Sequence, residues 1–233
     1  MRSLVIVLGS SSSIGKSIAN SLSYNRLAYV LAVSRRPLEF QETYIHNYSP
    51  HDLTDPGFLP TLTSYIERSG FTLKGIVFNQ AHTPLHRLDN LTDDDVTLTL
   101  DTIIRFPISA IRELKKFFDP DSRIVLIGSI ASLRRSRTAS SVYTASKHAL
   151  VGLTKHLSSE LANVATINLI CPSQTYTDAL FNNLDVSEIR TIESCHPMGR
   201  LCHPEEIANI VSYLIFQAPR YLTGSIIEVC GGL

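Results

Sequence analysis

An alternation runs through the whole chain and limits what it can become. Short, continuously apolar runs rich in β-branched residues fall at Leu4–Leu8, Tyr29–Val33, Tyr44–Tyr48, Gly75–Asn79, Arg123–Ser129, Ala165–Ile170 and Ser225–Val229. Between most of them lie stretches of helical period, at Ile14–Tyr24, Leu59–Arg68, Asp93–Phe118, Ser141–Leu161 and Glu205–Phe216. A strand with one wet face alternates apolar and polar residues, whereas an unbroken apolar strand is covered on both faces. Strands of this kind separated by helices predict an α/β fold: a doubly wound parallel sheet of about seven strands with helices on both faces.

No low-complexity linker or shift in composition interrupts the 233 residues, so one domain spanning 1–233 is expected. Hydrophobic residues make up 44%, enough to fill a core, and the formal net charge is zero. Neither nucleic acid nor a membrane surface is an expected partner of so balanced a chain. The start, Met1 to Gly9, superficially resembles a leader, but its apolar run Leu4–Leu8 passes straight into a Gly/Ser turn. It reads as the buried first strand of a cytoplasmic protein. The four cysteines form no C-x-x-C pair and are expected to be reduced, mostly buried thiols. Cys195-His196-Pro197 recurs as Cys202-His203-Pro204, but adjacent ligands followed by proline are not a structural-zinc spacing, and no metal is expected. The longest segment without a strand or helix assignment, Pro172 to Pro204, reads as a substrate lid around 173–203.

Three stretches carry chemistry. Gly9-Ser10-Ser11-Ser12-Ser13-Ile14-Gly15 follows the first strand and opens a helix. Small residues there let the backbone approach a pyrophosphate, and the helix start supplies free N–H groups, so Gly9, Ser11, Ser12, Ser13, Ile14 and Gly15 are candidate cofactor contacts. The second strand ends at Ser34-Arg35, where a binder of unphosphorylated NAD usually carries an acid. Arg35 can instead pair with a 2′-phosphate, which favours NADP(H) over NAD(H); a solvated basic turn is the bland alternative. Tyr143 and Lys147 lie four apart on a helix and so share a face, and Ser129 ends the fifth strand. A nearby cation is expected to draw the tyrosine pKa down from about 10 toward the working range.

Together these residues resemble the short-chain dehydrogenase/reductase family, in its compact single-domain form, along essentially the whole chain. Gly9 to Gly15 resembles the family's glycine-rich turn, Asp52-Leu53 the pair that touches adenine, and Asn79-Gln80-Ala81 the Asn-Asn-Ala segment ending the fourth strand. Ser129, Tyr143 and Lys147 resemble the catalytic serine, tyrosine and lysine. Pro172, Thr175 and Thr177 fall where the family holds the nicotinamide carboxamide, and Leu222-Thr223-Gly224 with Gly231-Gly232 match its C-terminal pattern. The resemblance implies a Rossmann-type fold and hydride transfer between a nicotinamide and a carbonyl or alcohol carbon. Tyr143 would exchange the proton, Lys147 would support it, and Ser129 would bind the substrate oxygen. Chain length and the Tyr–Lys spacing argue against the longer sugar epimerases and the enoyl reductases. The family habit implies a homotetramer or dimer.

Some positions depart from that pattern. Ser13, His82, Ser173 and Cys230 replace usual residues, and Ile103 stands near the expected site of an asparagine that supports the lysine through a water, with Asp101 or Thr102 as alternatives if the register slips. Those departures leave open a catalytically weak dinucleotide-binding sensor or assembly partner. His82 either crowds the cofactor or contacts substrate. Arg134, Arg135 and Arg137 offer guanidinium forks to a small anionic metabolite, or an acyl or sugar derivative; alternatively they are solvated or sit in a subunit interface.

Overall fold

The computed structural model describes residues 3–24, 26–36, 38, 40, 44–48, 51–136 and 139–233. Seven strands, β1 (Ser3–Leu8), β2 (Tyr29–Val33), β3 (Ile45–Tyr48), β4 (Thr72–Phe78), β5 (Arg123–Ile127), β6 (Thr166–Pro172) and β7 (Ile226–Val229), form one sheet. Its order is β3-β2-β1-β4-β5-β6-β7, with every pairing parallel. The helices are α1 (Ser13–Tyr24), α2 (Phe58–Ser69), α3 (Asp93–Leu100), α4 (Phe106–Leu114), α5 (Ser141–Glu160), α6 (Asp178–Asn183), α7 (Val186–Ser194) and α8 (Pro204–Phe216).

β1 shows how an apolar run builds two layers at once. Leu4, Ile6 and Leu8 join the core beneath α2, α4 and α5, while Val5 and Val7 join the core beneath α1 and α8. All five are essentially inaccessible to water, and burying each such side chain contributes about 1.5–3 kcal/mol. This double cover holds β1 at the centre of the sheet. The chain leaves β1 toward β2 and later returns to β4 on the other side, so the strand order reverses between them and a crevice opens at the strands' carboxyl ends. The register Leu8↔Phe78 then sets Gly9 beside Asn79.

The predicted elements match within three residues at each end, with two exceptions. The helix expected over Asp93–Phe118 is broken by a π-helical turn, Asp101–Arg105, and ends in a 3₁₀ turn, Lys115–Phe117. Pro107 is the cause: it has no N–H to donate and its ring collides with the carbonyl of residue 103, so the backbone takes a wider turn there. The segment Pro172–Pro204 is not a bare loop but holds α6 and α7, capped by Thr177 and Asp185, and a bridge between Thr175 and Cys202. Burial of the thiols also needs correction. Only Cys171 is buried; Cys195, at the outer end of α7, is exposed, and Cys202 and Cys230 are half-buried. No helix of the described residues is long and apolar enough to cross a membrane.

Candidate active site

The turn after β1 is pre-built. Gly9 has φ +75°, and a Cβ there would come within 2.7 Å of the Gln80 backbone nitrogen, so only glycine fits. A Cβ on Gly15 would press on Ser10 Cα at 2.8 Å; its role is to let α1 pack onto the turn. The Gly9 and Ser10 amides and Ser10 Oγ all donate to Val33 O. Asn79 Nδ2 donates to Gly9 O at 2.9 Å and to Ser12 Oγ at 3.0 Å, bracing the turn from β4. Ser13, the replaced glycine, is not strained: among the described residues Arg26 is the only non-glycine with positive φ. Its Oγ accepts a hydrogen bond from Asp178 N at 2.9 Å, tying the turn to α6.

These residues floor a cleft of about 520 Å³, within the range of ligand sites. Gly9, Ser11, Ser12, Ser13, Ile14, Ser34, Arg35, Asp52, Leu53, Asn79, Ala81 and Thr177 all line it. The first turn of α1 carries N–H groups without helical partners and the positive end of the helix dipole. Ser34 is buried with its hydroxyl donated to Arg36 O, whereas Arg35 is exposed. Hydrogen bonds from Thr54, with a smaller contribution from Arg35, hold the Asp52 carboxyl below the usual range. The exposed Arg35 and Arg36 thus share the mouth at β2 with the Asp52 carboxylate. A wider surface groove of about 690 Å³ runs along α2 beside Tyr48 and Arg68. It contains none of the site residues, so size alone does not locate the chemistry.

Beyond this cleft lies a second group, half-buried at Ser129 and Tyr143 and buried at Lys147. Ser129 caps the short turn Ile130–Ser132, its Oγ accepting from Ala131 N at 3.1 Å. Ser140 caps α5 and accepts from Tyr143 N at 3.3 Å, which places Tyr143 in the first helical turn and Lys147 one turn later. The Tyr143 phenol meets the hydroxyls of Ser129 and Thr83. Lys147, 3% exposed, donates from Nζ to Ile127 O at 2.7 Å and lies 5.5 Å from the Tyr143 ring centroid. The expected downward pull of Lys147 on Tyr143 does not dominate. Burial pushes the phenol above its ordinary 10, against the hydrogen bonds from Ser129 and Thr83. Burial likewise draws the Lys147 ammonium down from 10.5 to about 8. Both shifts have one cause: a low-dielectric surrounding penalises whichever form is charged. At neutral pH the pair is a neutral phenol beside an ammonium. A phenol so placed can give its proton to an oxygen that is gaining negative charge.

Other candidates are dispersed. Thr175 is buried with its hydroxyl donated to Ser173 O, and neither it nor Pro172 reaches the cleft lining. His82 lines the cleft, but its Nε2 lies 3.4 Å from Asp95 Oδ1, and His86 Nδ1 is 3.1 Å from Oδ2. Asp95, drawn to about 2 chiefly by hydrogen bonds from Thr92, thus holds His82 toward α3. Arg134 pairs with Glu228 at 3.0 Å, and Arg135 is exposed; neither lines the cleft, and Arg137 lies outside the described residues. Ile103 is buried. Thr83 and Gln80 were missed as site residues, though Gln80 stands where the family motif has its second asparagine; Thr102, an alternative to Ile103 at the asparagine position, lines the cleft.

A doubly wound parallel sheet with a small-residue turn at its switch point, and a serine–tyrosine–lysine set beside it, defines a Rossmann-type protein equipped for acid–base chemistry. Residues 9–233 match the family model described as "Enoyl-(Acyl carrier protein) reductase". The chain belongs to the short-chain dehydrogenase/reductase family, a family of oxidoreductases. It is 30% identical over 253 aligned positions to the 3-oxoacyl-(acyl-carrier-protein) reductase FabG of Aggregatibacter actinomycetemcomitans, covering 100% of both chains. A short-chain dehydrogenase family protein of Francisella tularensis superposes with a TM-score of 0.89 at 24% identity, over 100% of this chain and 98% of that one. ElxO with NADP bound superposes with a TM-score of 0.86 at 25% identity, again over 100% and 98%.

Proposed function

We propose that this chain is an NADPH-dependent reductase of a carbonyl group on a small anionic or acyl-thioester substrate. The observation that carries the reading is the meeting of the Tyr143 phenol with the Ser129 hydroxyl, one helical turn from the buried Lys147, near a cleft lined by Arg35. The Gly9 cradle, the N-terminus of α1 and Arg35 fit a pyrophosphate and a 2′-phosphate, and an NADP-bound structural neighbour supports the same choice. NADPH, when bound, supplies the hydride. Ser129 hydrogen-bonds the substrate oxygen, Tyr143 gives that oxygen its proton, and the Lys147 charge stabilises the phenolate left behind. The four-residue Tyr143–Lys147 spacing and the 3-oxoacyl relative favour carbonyl over enoyl reduction. Residues 173–203, held to the turn through Ser13, act as the lid. We place the enzyme in the cytoplasm, as a single domain within a dimer or tetramer.

The test is NADPH oxidation with a 3-oxoacyl thioester, wild type against Tyr143→Phe. Loss of a positioned general acid lowers the rate by roughly 10³-fold, while NADPH fluorescence still reports binding in the variant. Equal rates in both proteins would remove Tyr143 from the mechanism. Reduction of an enoyl thioester in preference to the 3-oxo compound would replace the substrate assignment.

A further inference from the structure

A small cavity lies behind Lys147, separate from the cleft. Its polar lining is Gln80 and Lys147; the rest, Ile103 included, is apolar. It offers the centre of a water-sized sphere about 10 Å³, close to the lower bound for one water and too little for two. Gln80 also lines the cleft, so its side chain forms part of the wall between the two spaces.

Both polar groups have unspent hydrogen-bonding capacity. Gln80 Nε2 donates to Thr102 O at 3.3 Å. Because that carbonyl only accepts, the amide is oriented with its oxygen away from it. Gln80 Oε1 is buried and, among the described residues, is the one buried side-chain N or O atom without a partner. An ammonium carries three donors, and among the described residues Lys147 Nζ has one acceptor, Ile127 O. A buried acceptor left unsatisfied is costly, and so is an ammonium with one bond. One water between them removes both costs.

We infer that Gln80 is a positioning residue for the proposed reductase reaction, holding one water that accepts from Lys147 Nζ and donates to Gln80 Oε1. The water supplies from the β4 side the support that the family resemblance placed at Ile103. It stabilises the charged form of Lys147. The titratable groups facing that ammonium are Tyr143 on the same helix and the Cys171 thiol of β6. β4, β5 and the π turn present Phe78, Ile127 and Ile103 to the cavity.

The inference rests on the proposed function, and the tests separate the two. In a crystal structure that resolves ordered water, one water should touch both Gln80 Oε1 and Lys147 Nζ; a cavity without it overturns the inference whatever the enzyme's activity. In the pH profile of NADPH-dependent reduction of a 3-oxoacyl thioester, the high-pH limb reports loss of the ammonium. Gln80→Leu should move that limb down by about one pH unit, the size of a lost charge-assisted hydrogen bond. Gln80→Glu keeps the acceptor and should hold the limb at or above its wild-type position. Adding Ile103→Asn to Gln80→Leu returns an amide to the same cavity and should restore the limb. A Gln80→Leu variant that is slower with an unmoved limb would make the role structural and the inference wrong. Inactivity of the wild type with the water in place would instead fault the functional reading.

Discussion

The two ends of the site solve opposite problems. The cleft end is open, and its polar atoms are largely satisfied before any ligand arrives: Ser10 and Asn79 lock the turn, and Thr54 holds Asp52. It works by shape and by two exposed guanidinium groups, Arg35 and Arg36. The Tyr143–Lys147 end is tighter, with Lys147 buried and Tyr143 and Ser129 half-buried, and desolvation shifts both titrating side chains toward their neutral forms. Selectivity can therefore be altered at the cleft end with little effect on the fold. At the buried end, function and stability are coupled.

Lys147→Met should show that coupling most strongly. Losing the cation beside the proton donor lowers the reduction rate by roughly 10²–10⁴-fold. In the folded wild type the ammonium titrates near 8 rather than 10.5. The unfolded chain thus binds more protons between these values, and stability rises with pH across that window. Below about pH 8 the full burial cost is present, and by pH 10.5 up to about 3 kcal/mol is recovered. Denaturant unfolding at pH 7.5 and 10 should show this rise in the wild type and its loss in Lys147→Met. A rise that persists in the variant would assign it to another group. Arg35→Ala comes next: NADPH affinity should fall by about tenfold with NADH affinity unchanged, since one charge-assisted hydrogen bond is lost. Equal loss for both cofactors would mean that Arg35 shapes the mouth and does not select a phosphate. Ser13→Ala is expected to have the smallest effect. Removing the bond to Asp178 N costs about 1 kcal/mol locally, so hydrogen exchange should quicken at the start of α6 while the core strands stay protected. Unchanged exchange there would break the link between turn and lid.

What could be read from the sequence follows the same division. The unbroken run Leu4–Leu8 requires a strand covered on both faces, and a small-residue turn at its end requires close backbone approach; both are local facts. Tyr143 and Lys147 are legible because helical spacing alone places them on one face. The direction of the Tyr143 shift was misjudged because pKa depends on what surrounds the group after folding. Thr83 reaches Tyr143 from a loop with no periodicity to mark it. The π turn at Asp101–Arg105 was signalled only by Pro107, since a count of apolar positions does not register which carbonyl each amide finds. α6 and α7 are too short for periodicity to stand out, although Thr177 and Asp185 both cap like helix starts.

The central claim, that the cleft at the turn after β1 takes NADPH, is tested most directly by titrating the wild-type protein with NADPH and with NADH and following nicotinamide fluorescence. NADPH should bind more tightly than NADH by about tenfold or more. Equal or tighter NADH binding, or no binding of either at high micromolar concentration, would contradict it.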